Sequence, residues 1–201
     1  VFRTPMITSR FINGATIVLE DLSLPRMRVQ GTMVDLQGIG VLLEGKPGVG
    51  KSETALALVE RGHSLVSDDV TLLRRDSFDD VVATAIDITR YHMEIRGLGI
   101  VHVPSLFGVS SIRRDKRLDL IVQLHPWTPE SDGERSGMAT ETREILGRRI
   151  PMIRLPVAPG REVANIVEVA ALNQKLRGMG HDAAKELDDK LVRLLTDKGS
   201  L

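Results

Sequence analysis

Gly45-Lys46-Pro47-Gly48-Val49-Gly50-Lys51-Ser52 separates an apolar run from a helical pattern, and its spacing is G-x-x-x-x-G-K-S. Such a loop turns several backbone N–H groups toward one point, and the N-terminus of the following helix reinforces the resulting anion site. In a P-loop of this kind the Lys51 ammonium reaches the β- and γ-phosphates, and the Ser52 hydroxyl ligates Mg²⁺. With glycine at about 7% of average usage, a chance match in a chain this long arises roughly once in a hundred sequences. Context makes chance rarer still. Val41-Leu42-Leu43 enters the loop as a buried strand, and Ala55, Leu58 and Val59 follow at helical spacing until Gly62 stops the helix. Strand, phosphate loop and helix in this order predict an α/β fold.

Upstream, Thr32-Met33-Val34-Asp35-Leu36 and the run 39–43 flank a Gln37-Gly38 turn signal, so the strand entering the loop belongs to a hairpin. That pattern favours a mixed sheet over simple βαβ alternation. Residues 1–24 carry Phe11, Ile12, Ala15, Val18, Leu19 and Leu22 at amphipathic spacing, which predicts a packing helix. Downstream, Ser64-Leu65-Val66-Ser67 is a short strand ending in Asp68-Asp69. An acid at the end of an apolar strand beyond a P-loop helix suits a metal partner or a base. Asp79-Asp80 sits in a polar stretch and reads as a turn.

Glu94-Ile95-Arg96-Gly97-Leu98-Gly99 precedes the apolar Ile100-Val101. Its glycines suit a turn or bulge, and in a P-loop protein the same stretch can bring a second Mg²⁺ ligand and an arginine toward substrate. A strand over 118–124 leads to Pro126-Trp127-Thr128-Pro129 and a polar run containing Arg135, read from spacing alone as a solvated loop arginine. His63, His92, His102, His125 and His181 have no metal-ligand spacing and read as structural or surface residues. A strand over 150–157 precedes Ala158-Pro159-Gly160-Arg161, then a helix over 165–179 and a last helix capped by Asp182 with a stripe of Leu187, Leu191, Leu194 and Leu195.

The 201 residues suit one main domain, with formal net charge zero and no cysteine. Zero net charge gives no overall basic field to draw nucleic acid or an anionic membrane surface. Without cysteine there is no disulfide and no thiolate chemistry, which agrees with a cytoplasmic protein. No apolar run has the length of a membrane span.

GKPGVGKSETAL, then SLVSDD, then EIRGLGI, then WTP followed by an arginine, then PVAPGR and the terminal helices resemble the C-terminal catalytic domain of bacterial HPr kinase/phosphorylase. The resemblance runs from about Arg28 to near the chain end. It implies a P-loop core like that of phosphoenolpyruvate carboxykinase, with a mixed sheet and a helical C-terminal appendage. The expected division is 1–27 as a helix and linker from an absent upstream domain, 28–162 as catalytic core, and 163–201 as helices making oligomer contacts. The implied activity is bifunctional: phosphorylation of a serine of the phosphocarrier HPr with ATP or pyrophosphate, and phosphorolysis with inorganic phosphate to give pyrophosphate. A cytoplasmic homohexamer that regulates carbon metabolism is implied as well.

By matching motif, Gly45 to Ser52 would hold the donor phosphates, with Lys51 on the transferred group and Ser52 and Glu94 on Mg²⁺. Asp69 would be the principal base with Asp68 beside it, and Arg135 would stabilise charge. Glu94, Ile95, Arg96, Gly97 and Gly99 would form a signature segment, and Pro156, Gly160 and Arg161 part of a dephosphorylation segment. One departure stands out: where the family commonly has His-Gly, this chain has Gln30-Gly31. Two other readings stay open on the residues alone, a P-loop kinase or carboxykinase-like enzyme for a small molecule and a non-catalytic nucleotide sensor.

Overall fold

The computed structural model describes residues 3–128, 141–158, 160–183, 185–187 and 190. In chain order the elements are α1 (Thr8–Ser23), β1 (Arg26–Gln30), β2 (Thr32–Leu36), β3 (Ile39–Glu44), α2 (Lys51–Glu60), β4 (Ser64–Ser67), β5 (Val70–Arg75) and β6 (Val81–Ala85). There follow β7 (His92–Ile95), β8 (Gly99–His102), α3 (Val103–Phe107), β9 (Asp115–Arg117), β10 (Leu120–Pro126), β11 (Glu141–Ile145), β12 (Arg148–Val157) and α4 (Val163–Gly178).

Six strands form the central sheet in the order β11-β12-β10-β3-β2-β4. β10 runs parallel to both β3 and β12, and the remaining pairs are antiparallel. The sheet is mixed, as the β2–β3 hairpin predicts. Successive side chains on a strand face opposite ways, and here both faces are buried. Val34, Leu36, Val41 and Leu43 face Ala55, Leu58 and Val59 of α2 and Val163, Val167 and Ala171 of α4. Met33, Leu42, Val66 and Ile121 face the other way, toward Leu73 of β5 and Val81 and Ala83 of β6. Those last strands belong to a four-stranded antiparallel sheet, β1-β5-β6-β9. Helices, central sheet and small sheet therefore make three layers.

Close approach at one glycine joins the two sheets. A Cβ on Gly40 would fall 1.8 Å from the Arg117 carbonyl oxygen. The Gly40 N–H donates to Asp119 Oδ2 at 2.9 Å, and the Asp119 N–H returns a bond to the Gly40 carbonyl at 2.8 Å. Only glycine lets β3 pass the β9–β10 connection so closely.

Local signals at α2 are realised in full. Gly62 has φ of +89°, its N–H reaches the Val59 carbonyl, and the His63 N–H reaches the Leu58 carbonyl. This is the double closure of a Schellman motif. At α4, by contrast, the expected appendage is core: Val163, Ala164, Val167 and Ala171 are buried in the same cluster as α2. The boundary at 162 thus cuts through one packing unit. Strand β1 begins at Arg26 and pairs with β5, so the sheet also starts inside the segment expected as linker. Helix α1 forms as predicted, yet Phe11, Ile12, Val18 and Leu19 are each at least half exposed rather than packed. Asp182 caps the following turn by accepting from the Lys185 N–H at 3.3 Å. Leu191, Leu194 and Leu195 lie outside the described residues.

Candidate active site

The phosphate loop joins the end of β3 to the start of α2. Three of its glycines take positive φ: +151° at Gly45, +79° at Gly48 and +106° at Gly50. A Cβ on Gly45 would sit 2.5 Å from the Leu124 carbonyl oxygen, and one on Gly48 would sit 3.0 Å from Arg96 Nη2. Gly50 is the N-cap of α2, and its carbonyl accepts the first helical bond, from Thr54. Lys51 Nζ donates to the Gly45 carbonyl at 3.2 Å, so the ammonium lies across the loop it serves. Lys46, Pro47 and Val49 complete the turn, which the Val49 N–H to Lys46 carbonyl bond closes at 3.2 Å.

Lys51 and Ser52 open onto a cavity of about 590 Å³. Gln30, Pro47, Gly48, Gly50, Asp69, Glu94, Ile95, Arg96, Gly97 and Gly99 line it too, with Glu53 and Val70. Thus β1, the P-loop, the end of β4 and the β7–β8 hairpin converge on one volume, which falls in the size range of small-ligand sites.

Asp68 and Asp69 divide at this point. Asp68 is 6% exposed, and its carboxylate accepts from Thr32 Oγ1 at 2.7 Å, Ser52 Oγ at 3.1 Å and the Glu94 N–H at 3.2 Å. Burial raises its pKa above 3.8; the Asp69 charge adds to the rise, and the three hydrogen bonds oppose it. Asp69 instead lines the cavity, with φ of +57°. A tight turn closed by the Val70 N–H to Asp68 carbonyl bond, at 2.6 Å, holds it there. The Gly31 N–H clamps the Asp69 carbonyl at 2.9 Å, and Thr71 Oγ1 in turn holds the Gly31 carbonyl at 2.8 Å. A non-glycine residue in the left-handed region costs free energy, and such strain gathers at functional sites.

The β7–β8 hairpin turns through Gly97 and Gly99, with φ of +85° and +96°, and the Leu98 N–H closes it on the Ile95 carbonyl at 3.0 Å. Glu94 and Ser52 both face the cavity and offer only oxygen donors, the chemistry Mg²⁺ prefers. Because Asp68 accepts the Ser52 hydroxyl proton, the lone pairs of Ser52 Oγ stay free for a cation. Among the described residues no group of three or more His, Asp or Glu side chains gathers to hold a metal. An ion here would complete its shell with phosphate oxygens and water, as Mg²⁺ commonly does.

Residues 22–191 match the family described as the HPr serine kinase C-terminal domain. The chain belongs to this family. Among HPr kinase family relatives, the HPr kinase/phosphorylase of Leptospira biflexa is 47% identical over 193 residues, covering 95% of this chain and 60% of that protein. The protein of the same name from Bacillus subtilis is 42% identical over 197 residues, covering 98% and 64%. The chain thus spans about 60% of the length of the curated relatives it matches. A solved Hpr(Ser) kinase/phosphatase from Coxiella burnetii superposes with a TM-score of 0.70 at 29% identity, covering 80% of this chain and 98% of that one. The fold is accordingly the mixed α/β P-loop fold of the HPr kinase family.

Of the residues singled out by sequence, Pro47, Gly48, Gly50, Lys51 and Ser52 of the loop meet Asp69, Glu94 to Gly97, Gly99 and Gln30 at the cavity, while Gly45, Lys46, Val49 and Asp68 do not line it. Pro156, Gly160 and Arg161 do not line it. Because β3, β10 and β12 are parallel, that turn leaves the same sheet edge as the P-loop. Arg135 and Pro159 lie outside the described residues. Thr32, which holds Asp68, reads in the sequence only as the first residue of a strand, because no motif marks it. His63 is structural as read: it is buried, with Nε2 3.0 Å from Glu168 Oε1. The imidazoles of His92 and His102, which sequence spacing left apart, lie beside each other with their rings tilted by 45°.

Proposed function

We propose that this chain is the catalytic domain of a bifunctional serine kinase/phosphorylase acting on HPr. It transfers a phosphoryl group from ATP or pyrophosphate to a serine, and removes it with inorganic phosphate to give pyrophosphate, thereby regulating carbon metabolism. The observation that carries this reading is Asp69, an exposed carboxylate held in a strained turn in the same cavity as the P-loop. Family membership and the names of the relatives support the acceptor.

Phosphoryl transfer leaves the protein mostly positioning and charge stabilisation to perform. The loop N–H groups and Lys51 fix the donor phosphates. Asp69 accepts the proton of the attacking serine hydroxyl, a role typically worth about 10²–10⁴-fold. In the reverse direction an inorganic phosphate oxygen attacks the phosphoserine phosphorus and the bond to the serine oxygen breaks. Asp69 takes the proton of the attacking hydrogen phosphate and delivers it to the serine oxygen, and pyrophosphate leaves. Asp68, whose burial favours its protonated form, orients Ser52 and the Glu94 backbone. Mg²⁺ held by Ser52 and Glu94 would neutralise phosphate charge. From the family resemblance, Arg135 acts on the transferred group, and Pro156, Gly160 and Arg161 serve the reverse reaction. The family resemblance supports assembly as a cytoplasmic homohexamer, and the outward apolar residues Val169, Leu172 and Leu176 of α4 offer a face for a subunit contact.

The test incubates the protein with HPr, Mg²⁺ and either ATP or pyrophosphate, then adds inorganic phosphate. Phosphoserine forms and is then lost, with pyrophosphate released. Asp69→Asn is expected to lower transfer at least about 100-fold, with nucleotide affinity close to wild type. Near-normal transfer by this variant removes Asp69 from the role of base. Turnover of ATP without HPr phosphorylation points instead to a small-molecule acceptor.

A further inference from the structure

His92 and His102 are ten residues apart in sequence and directly opposed across the β7–β8 hairpin. The Val103 N–H bonds to the Tyr91 carbonyl at 2.9 Å, which makes 91/103 a hydrogen-bonded pair and 92/102 the adjoining non-hydrogen-bonded one. In pairs of that kind cross-strand side chains come closest. The two ring centroids lie 5.0 Å apart at an interplanar angle of 45°. Both residues are exposed, so neither ring is there to fill a core.

Each imidazole also has its inner nitrogen occupied. His92 Nδ1 lies 2.9 Å from the Arg90 carbonyl, an acceptor only, so Nδ1 carries the proton and Nε2 the free lone pair. His102 Nδ1 lies 2.7 Å from Ser105 Oγ, which accepts from it in the corresponding tautomer. An acceptor behind each ring is the arrangement that orients metal-binding histidines.

Geometry tests the pair against a metal. With a Zn–N distance of about 2.1 Å the ring centroid stands about 3.2 Å from the ion, so two rings at a tetrahedral angle are about 5.3 Å apart. The observed 5.0 Å leaves the two rings close enough to share one ion. The nearby cation Arg90 is ion-paired with Asp87, so its charge is compensated.

We propose that His92 and His102 form a two-imidazole site for a borderline-soft divalent transition metal, of which Zn²⁺ is the probe, with water completing the coordination. Imidazole suits zinc, nickel and copper, whereas Mg²⁺ demands oxygen ligands, so the site is chemically separate from the Ser52 and Glu94 pair. It stands at the base of the hairpin whose other end carries Arg96 to the P-loop. A bound ion would tie β7 to β8 at the open end of that hairpin. This site does not depend on the proposed catalytic reading.

Zn²⁺ titrated calorimetrically into the purified chain in Mg²⁺-containing buffer tests it. One Zn²⁺ per chain is expected, and His92→Ala and His102→Ala should each weaken binding at least about tenfold, while His125→Ala leaves it unchanged. Nuclear magnetic resonance should report ring shifts at His92 and His102. No binding at millimolar Zn²⁺, or equal binding by wild type and both variants, overturns the proposal. Because both side chains are exposed, the variants are expected to keep the wild-type far-ultraviolet circular dichroism, which separates ligand loss from unfolding.

Discussion

At Asp68 and Asp69 one peptide unit separates a buried carboxyl from an exposed one. The difference is set by β4, which pairs antiparallel with β2 and brings the Thr32 hydroxyl to Asp68. Burial on folding raises the Asp68 pKa above the ordinary 3.8 of an aspartate, so the native state binds more protons than the unfolded chain between 3.8 and the raised value. Stability from this group is therefore greatest below that window and declines as pH rises through it. Asp68→Asn removes the titration, and its urea midpoint should fall less than that of wild type between acid and neutral pH. Parallel pH profiles contradict the assignment. Gln30 belongs to the same scale: it pairs with Val70 and lines the cavity beside Asp69. An amide offers hydrogen bonds and no titrating proton. Gln30→His is expected to raise the ratio of phosphorolysis to kinase rate at least about tenfold, and an unchanged ratio dismisses any role in the balance.

Elements were legible in the sequence where the signal is local. The β2–β3 hairpin, α2 with its Gly62 stop, and the strands ending near Asp68 and Val157 follow from apolar spacing and turn residues alone. Gly40 was not singled out, because its need arises from a partner far along the chain. With Arg117 oxygen 1.8 Å from a built Cβ, Gly40→Ala must push β3 off the β9–β10 connection. The expected loss is about 3 kcal/mol, the upper end of ordinary overpacking, read as a lower midpoint in urea. A loss below about 0.5 kcal/mol, the scale of neutral surface changes, shows that the sheets separate freely. His92 and His102 had a recoverable signal, since each lies five residues from Gly97 at the hairpin turn. A search for ligands at helix or loop spacing passes over a pair set by strand register.

Across the whole molecule, the placement of α4 decides where the domain ends. Burying a valine-sized side chain contributes about 1.5 kcal/mol or more, against a net domain stability of about 5–15 kcal/mol. Removing α4 takes Val163, Ala164, Val167 and Ala171 out of the cluster that also holds Leu58 and Val59. Truncation after Glu162 should therefore abolish cooperative unfolding, followed by circular dichroism in urea; a truncated chain that still melts cooperatively would return α4 to the status of appendage. The sequence by itself determined the phosphate loop, the helix behind it and the hairpin in front, because each rests on contacts between near neighbours. Only the tertiary structure decided that Asp69 rather than Asp68 meets the cavity, that Arg96 lies over Gly48, and that α4 closes the core. Those outcomes depend on strand register and on which distant faces are buried together, and neither is encoded in the spacing of any single segment. The loop of residues 45–52 was readable at once; what it works with had to be brought to it by the fold.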